Sequence, residues 1–322
     1  MTILVTGATG FIGIEVVRRL NLEGVRPRVM VRRVARASLL SPLDVEPVHG
    51  DLLSAPALRR AVEGVDTIIH LAGRATFESY DRLSPTLVEG TAALARAAAA
   101  AGVGHFVFGS STFVHDGSTP VDDDTPASPR LDYGRAKVAA EAALAEVAAA
   151  GGPTVAAVRL PHVYGPQSLL FGLIRRRVVV FPGIGDNRFA QLHVEDAARI
   201  LVAAALQGWT GTAPCGDNDN ATWNTFFDVL ASFAPRVRVV RVPEHLAAGA
   251  AAVGGVPLGR LGPTLVSADT VRGWNLDLPV NGTRLWRELG IEPTYPSVRT
   301  GIPATLDAAV AFRWRHSVFD WS

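Results

Sequence analysis

The sequence predicts an α/β fold, a doubly wound parallel sheet with a smaller, mostly C-terminal lobe, on three observations. Short β-branched runs alternate with longer helical segments through roughly the first 150 residues. A turn spaced by glycines joins the first such run to the first helical segment. After Pro161 the texture changes, with frequent Pro and Gly and with strands and helices that stand further apart.

Taken in order, the strand-like runs are residues 3–6, 28–31, 45–49, 67–71 and 105–109, with 154–159 extending the set. Helical patterns lie between them at 12–22, 55–62, 83–101 and 133–150. This alternation predicts βαβ units and a sheet buried on both faces. Beyond Pro161, strands are expected at 178–181 and 236–242 and helices around Ala197 and Thr225. The expected division is residues 1–162 as one domain, also receiving about 190–215 and 236–242, with 163–189 and 243–322 as the second lobe. The segments 83–101 and 133–150 are rich in Ala, and small side chains on a broad apolar face predict close packing against a second copy, a homodimer.

Composition narrows the function. At 322 residues, 48% hydrophobic and 19% charged, the chain is long enough for a large core and too apolar for disorder. A net charge of +1 gives no field to recruit nucleic acid or an anionic membrane, so neither is expected as a partner. The lone Cys215 permits no internal disulfide or cysteine metal cage, which points to a reducing cytoplasm. The start, Met1-Thr2-Ile3-Leu4-Val5, has no basic leader pattern, and the apolar stretches 197–206 and 246–256 are too short or too rich in Ala and Gly to span a bilayer. The triplet Arg175-Arg176-Arg177 reads as a solvated edge, and the aromatic and basic tail 312–321 as a packing or interface segment.

Directly after the first strand comes Thr6-Gly7-Ala8-Thr9-Gly10-Phe11-Ile12-Gly13. Gly7 suits the turn, Gly10 admits a pyrophosphate to the backbone, Gly13 lets helix pack on strand, and the helix start supplies N–H groups and positive potential. With a strand before and a helix after, this is a Rossmann-like dinucleotide site. The second strand ends in Val31-Arg32-Arg33, where NAD enzymes carry an acidic residue for the ribose. Guanidinium forks at Arg32 and Arg33, with Arg36 behind, suit a 2′-phosphate and favour NADP(H) over NAD(H). Asp51, in Gly50-Asp51-Leu52, is placed to accept from the adenine amino group, and the small residues of Leu71-Ala72-Gly73 leave room for the dinucleotide.

Tyr133 and Lys137 stand four residues apart, on one helix face. A phenol titrates near ~10 in water, so acid or base work at neutral pH needs a nearby cation, which Lys137 supplies. Gly109-Ser110-Ser111-Thr112, at the end of the fifth strand, offers a hydroxyl to fix a substrate oxygen beside the phenol.

These motifs together resemble the extended short-chain dehydrogenases/reductases, the NAD-dependent epimerase/dehydratase family. The likeness runs through Arg159-Leu160-Pro161-His162-Val163-Tyr164-Gly165-Pro166 and His193-Val194-Glu195-Asp196 and covers nearly the whole chain. It implies that Ser111, Tyr133 and Lys137 are catalytic. Ser111 and Tyr133 would hold the substrate oxygen, Tyr133 would exchange the proton, and Lys137 would lower the phenol's pKa and bind the nicotinamide ribose. The implied cofactor contacts are Gly7, Thr9, Gly10, Phe11, Ile12, Gly13, Arg32, Arg33, Asp51, Leu52, Leu71, Ala72, Gly73, Tyr133, Lys137, Pro161 and Val163. One departure stands out, because the family's Asn-Val-x-Gly-Thr reads Leu87-Val88-Glu89-Gly90-Thr91 here, so the polar relay behind the lysine is in question.

Within the family, dehydratases carry an Asp-Glu pair after the fifth strand, and here the stretch is Ser111-Thr112-Phe113-Val114-His115. Sugar-nucleotide enzymes carry an Arg four residues before the His of His-Val-x-Asp, and here that place is Phe189, with Arg188 beside it. Phe171, Leu173, Leu246, Val253, Val256, Leu258 and Leu261 give the second lobe an apolar cast. With the segments 243–246 and 286–293, this resembles the branch of dihydroflavonol reductases and 3β-hydroxysteroid dehydrogenases. The leading expectation is an NADP-dependent ketoreductase or alcohol dehydrogenase for an apolar small molecule, cyclic ones included. Two alternatives stand beside it, a sugar-nucleotide epimerase with tightly held NAD and a non-catalytic dinucleotide-binding module. No metal is expected, since His115, His162 and His193 lack partners at ligand spacing.

Overall fold

The computed structural model describes residues 1–168, 170–171, 178–217, 219–258 and 267–316, with the side chains of 253–258 and 309–316 left undescribed. The Arg175–177 triplet, Leu173 and Leu261 lie outside these residues, as do the side chains of Val253, Val256 and Leu258 and most of the tail.

Seven parallel strands form the central sheet in the order β10-β6-β5-β4-β1-β2-β3. They are β1 (Ile3–Thr6), β2 (Arg28–Val31), β3 (Glu46–His49), β4 (Thr67–His70), β5 (His105–Ser111), β6 (Thr154–Leu160) and β10 (Gly211–Pro214). The side chains of β1 alternate between two cores, as the period of a strand requires. Ile3 and Val5 pack under α1 (Phe11–Leu22) and the helix Val194–Gln207, and Leu4 packs under α3 (Ala55–Val62), α5 (Gly90–Ala100) and α6 (Asp132–Ala149). The sheet order reverses direction between β1 and β4, which opens a crevice beyond Thr6 and His70 at the strand ends.

The short helix α2 (Val34–Ala37) follows β2. The helix expected over 83–101 is interrupted. It runs as α4 (Tyr80–Ser84), then a wide π-type turn at Pro85–Glu89, then α5. Pro85 has no N–H to continue the ladder of α4, so the turn widens around it.

A second core gathers in the lobe around Tyr164, Phe181, Phe189, Trp223, Phe226 and Leu278. Two small parallel sheets frame it. One pairs β7 (His162–Tyr164) with β9 (Gln191–His193), and the other pairs β8 (Val178–Pro182) with β11 (Arg238–Val242). The run 236–242, expected to join the first domain, pairs instead with β8 in the small sheet. The open edge of the large sheet is taken by β10, and Arg241 of β11 lies over the Phe181 and Phe227 rings of the lobe. Part of 243–322 crosses the other way, since Leu285, Trp286 and Leu289 pack into the core beneath the large sheet and the Trp286 indole donates to the Gly216 carbonyl at 3.0 Å. Leu246 is 58% exposed. Among the described residues, no helix is long and apolar enough to cross a membrane.

Candidate active site

The glycine turn is built as tightly as its spacing implies. Gly7 has φ +74°, and a Cβ there would lie 2.6 Å from the Leu71 carbonyl carbon and 2.7 Å from the Ala72 nitrogen. A Cβ on Gly13 would collide with the Gly7 carbonyl oxygen. Gly10 precedes α1 without a side-chain cap, so the first N–H groups of that helix face the crevice with no protein acceptor of their own. This cradle, which side chains would fill, fits the pyrophosphate of a dinucleotide.

A cavity of about 490 Å³ opens from this turn toward the lobe. Gly7, Gly10, Phe11, Ile12, Gly13, Leu71, Gly73, Ser111, Tyr133, Lys137, Pro161 and Val163 all line it. Thr9, Ala72, Arg32, Arg33, Asp51 and Leu52 do not. Thr9 is half-buried in the turn, and the Ala72 N–H donates to Thr6 Oγ1 at 3.3 Å. Leu52 is buried in the sheet core and packs where a Cβ on Gly90 would stand, so its side chain turns away from the crevice. Arg32 and Arg33 are exposed beyond the end of β2, and the Arg32 Nε lies 4.0 Å from Asp51 Oδ2. Cation and carboxylate thus sit together where the adenosine end of a dinucleotide would lie.

Ser111 ends β5, and Tyr133 and Lys137 lie in the first two turns of α6. The Ser111 hydroxyl accepts from the Phe113 N–H at 3.3 Å and hydrogen-bonds the Tyr133 phenol. Lys137, 7% exposed, donates to the Gly109 carbonyl at 2.6 Å, and its Nζ lies 4.5 Å from the centre of the Phe108 ring and 5.8 Å from that of Tyr133. Burial pushes the phenol up to about 12 against the pull of the Ser111 hydrogen bond, and pushes the ammonium down to about 8 while Glu141 opposes. The expected lowering of the phenol by Lys137 is not what this geometry gives, because desolvation dominates. Tyr133 is therefore a protonated acid at neutral pH.

Ser110, one residue before Ser111, is engaged elsewhere, since its hydroxyl donates to Glu141 of α6. Glu141 also takes Arg159 Nη2 at 2.8 Å and Nε at 3.2 Å. His115 is buried outside the cavity, between the Pro126 carbonyl at 3.1 Å and Arg159 Nη1 at 3.4 Å. Leu87 packs in an apolar group with Leu83 and Ala136 against Tyr133, so no relay runs through position 87.

The far wall is aromatic. Phe77, Phe113, Phe189, His162, Trp223 and Trp274 line it, with Phe113 edge-on to Phe77 at 5.0 Å and Trp223 4.4 Å from Trp274. His162 sits among them with Nδ1 2.6 Å from Gln191 Oε1, and burial holds its pKa down to about 4, so it stays neutral. Phe77, Trp223 and Trp274 carry no signal in the sequence that ties them to the site, because each reaches it from a distant segment. His70 was also missed. It is buried beneath Lys137, between Thr6 Oγ1 at 2.6 Å and Thr91 Oγ1 at 2.9 Å, and ties β1 to α5.

The His193-Val194-Glu195-Asp196 segment is a latch. His193 caps the helix Val194–Gln207, and Asp196 accepts from the N–H groups of Thr294 and Tyr295 at 2.9 and 2.8 Å. Among the described residues, no group of three or more His, Cys, Asp or Glu side chains is placed to hold a metal ion.

Glycine cradle, Ser-Tyr-Lys triad and adjoining cavity define a dinucleotide-dependent enzyme of the extended short-chain dehydrogenase/reductase type. Residues 3–214 match the sequence model of the NAD dependent epimerase/dehydratase family, and the chain belongs to that family. Its relatives include a ceramide reductase of Caulobacter vibrioides, 35% identical over 77% of this chain and 76% of that one. A sterol demethylase protein B of Methylococcus capsulatus is 29% identical over 98% and 99% of the two chains. Among solved structures, MoeE5 in complex with UDP-glucose and NAD superposes with a TM-score of 0.79 over 97% of this chain and 99% of its own, at 24% identity, a likeness of fold.

Proposed function

We propose that this enzyme is an NADP(H)-dependent reductase of the carbonyl group of an apolar small molecule, cyclic ones included. The observation that carries the reading is the wall opposite Tyr133, where Phe189 occupies the place at which sugar-nucleotide enzymes hold an arginine. Arg188, beside it, points outward and pairs with Asp277 at 2.8 Å. A diphosphate would meet aromatic rings there in place of a cation, whereas an apolar ring gains from every one of them. Relatives described as a ceramide reductase and a sterol demethylase protein support an apolar, lipid-like substrate class.

The chain's residues divide the work as follows. The glycine cradle and the start of α1 hold the pyrophosphate, and Arg32 and Arg33 are positioned for a 2′-phosphate, which favours NADP(H). When bound, the reduced nicotinamide supplies the hydride that the carbonyl carbon accepts. Ser111 and Tyr133 hydrogen-bond the carbonyl oxygen, and Tyr133, protonated at neutral pH, gives it the proton that completes the alcohol. Lys137, whose Nζ lies 5.8 Å from the centre of the Tyr133 ring, is the cation on hand to offset the phenolate left behind. The aromatic wall excludes water and orients the ring.

The test is consumption of NADPH and of NADH by the purified protein with a panel of alicyclic and sterol-like ketones. Stoichiometric alcohol formation with NADPH preferred supports the reading. Tightly held NAD with epimerisation of a sugar nucleotide and no net consumption overturns it. We also propose a cytoplasmic homodimer formed through the Ala-rich faces of α5 and α6, which sedimentation equilibrium tests by mass.

A further inference from the structure

Glu141 and Arg159 are buried charges near the site that this mechanism leaves unused. Tyr133, Lys137 and Glu141 follow one another at four-residue intervals along α6, so all three lie on one face of the helix. Glu141 reaches the sheet at a register pair. Ser110 of β5 and Arg159 of β6 stand opposite each other, and both bond to its carboxylate. The ion pair is well sealed, with the two side chains 11% and 13% exposed. The next group up the stripe is the Lys137 ammonium, which donates to the Gly109 carbonyl and lies over the Phe108 ring.

We infer that Glu141 is a positioning residue, the counter-charge that keeps the buried Lys137 protonated, with Ser110 and Arg159 fixing its place and moderating its strength. The inference rests on the reading of Tyr133 and Lys137 given above. A buried ammonium loses its hydration, and a carboxylate a helical turn away in a poorly screened interior restores part of it. The other groups facing Lys137 do not supply that charge. His70 of β4 is neutral, with its pKa held down to about 3, and Tyr133 is a neutral phenol. Phe108 of β5 offers only its ring face. Arg159 of β6 is paired with the Glu141 carboxylate and carries the opposite charge.

Two neutral substitutions therefore act in opposite directions. Glu141→Gln removes the counter-charge and makes Lys137 lose its proton at lower pH. Arg159→Gln leaves the carboxylate unmoderated and makes Lys137 hold its proton to higher pH. A residue that merely packs the helix would move both in one direction or neither.

The readout needs no substrate or cofactor, because Lys137 is the only lysine among the 31 Lys and Arg residues of the chain. Protein grown on [ε-13C]lysine carries one side-chain resonance, whose pH titration reports Lys137 alone. The expected result is a midpoint lowered by about half a pH unit or more in Glu141→Gln, the scale of a partly compensated charge, and raised in Arg159→Gln. If either single variant fails to fold, the double Glu141→Gln, Arg159→Gln variant, which leaves no charge unpaired, must still titrate below the wild type. Unmoved midpoints, or shifts of one sign in both single variants, overturn the inference. It stands or falls apart from the reductase reading, which the turnover assay decides.

Discussion

Phe189 and Arg188 are neighbours in the chain and face opposite ways. Phe189 is 1% exposed and forms part of the cavity wall, 5.6 Å from Phe113 and 5.8 Å from Trp223, while the Arg188 side chain is 53% exposed and paired with Asp277. A one-residue offset in extended backbone puts the aromatic ring in the cavity wall and the cation at the surface.

The two residues are thus predicted to respond differently to truncation. Phe189→Ala removes a buried ring and should cost about 3 kcal/mol of stability, with a raised KM for apolar ketones. Arg188→Ala removes an exposed ion pair and should cost less than about 1 kcal/mol with kcat/KM unchanged. Urea unfolding and steady-state kinetics on both variants check this.

Tyr133→Phe and Ser111→Ala are predicted to lower kcat by about 100-fold or more, the usual contribution of a positioned acid. NADPH affinity, measured by fluorescence titration, should stay within a factor of about three, since most of the proposed cofactor contacts lie elsewhere. A variant that loses turnover and cofactor binding together would point to a role in holding the nucleotide.

Arg32 and Arg33 are exposed beyond the end of β2 and touch no core, so replacing both with Ala should leave stability unchanged to within about 0.5 kcal/mol. The predicted effect is on selectivity. NADPH affinity falls about tenfold or more, the worth of a charge-assisted contact to phosphate, and NADH affinity does not move. Equal losses for both nucleotides would remove the argument for NADP(H).

Asp217 is buried with Oδ1 accepting from the N–H groups of Asn220 and Asp219 and with Oδ2 lacking a partner among the described residues, and burial pushes its pKa up to about 7. The folded chain therefore holds a proton that the unfolded chain has released between about pH 4 and 7, so Asp217 costs stability as pH rises through that window. Asn at this position keeps the Oδ1 acceptor and carries no charge. Asp217→Asn is predicted to stabilise the protein more at pH 8 than at pH 5, and urea midpoints at the two pH values test the sign.

The nucleotide half of the molecule was legible in the sequence because its signals are local. Gly7, Gly10 and Gly13 mark a turn in which a Cβ at Gly7 or Gly13 would collide with backbone, and the four-residue spacing of Tyr133 and Lys137 fixes a shared helix face whatever the rest of the fold does. Long-range partnerships were not legible. Thr6 and His70 are 64 residues apart, and nothing in either neighbourhood announces their hydrogen bond. The run around Val239 reads as a strand, but its pairing with β8 in the lobe is not legible, because alternation specifies a strand and not its neighbour. The aromatic wall is the same case, since Phe77, Trp223 and Trp274 meet only once the lobe has folded.

The central claim is that Tyr133 delivers a proton to the carbonyl of an apolar substrate held against the aromatic wall. It is tested most directly by single-turnover reduction of an alicyclic ketone by NADPH-loaded protein, wild type against Tyr133→Phe. The account predicts one alcohol formed for each NADPH consumed by the wild type, and at least about a hundredfold slower reaction in the variant at equal nucleotide occupancy. Equal rates in the two proteins, or no alcohol from the wild type alongside turnover of a sugar nucleotide, would contradict it.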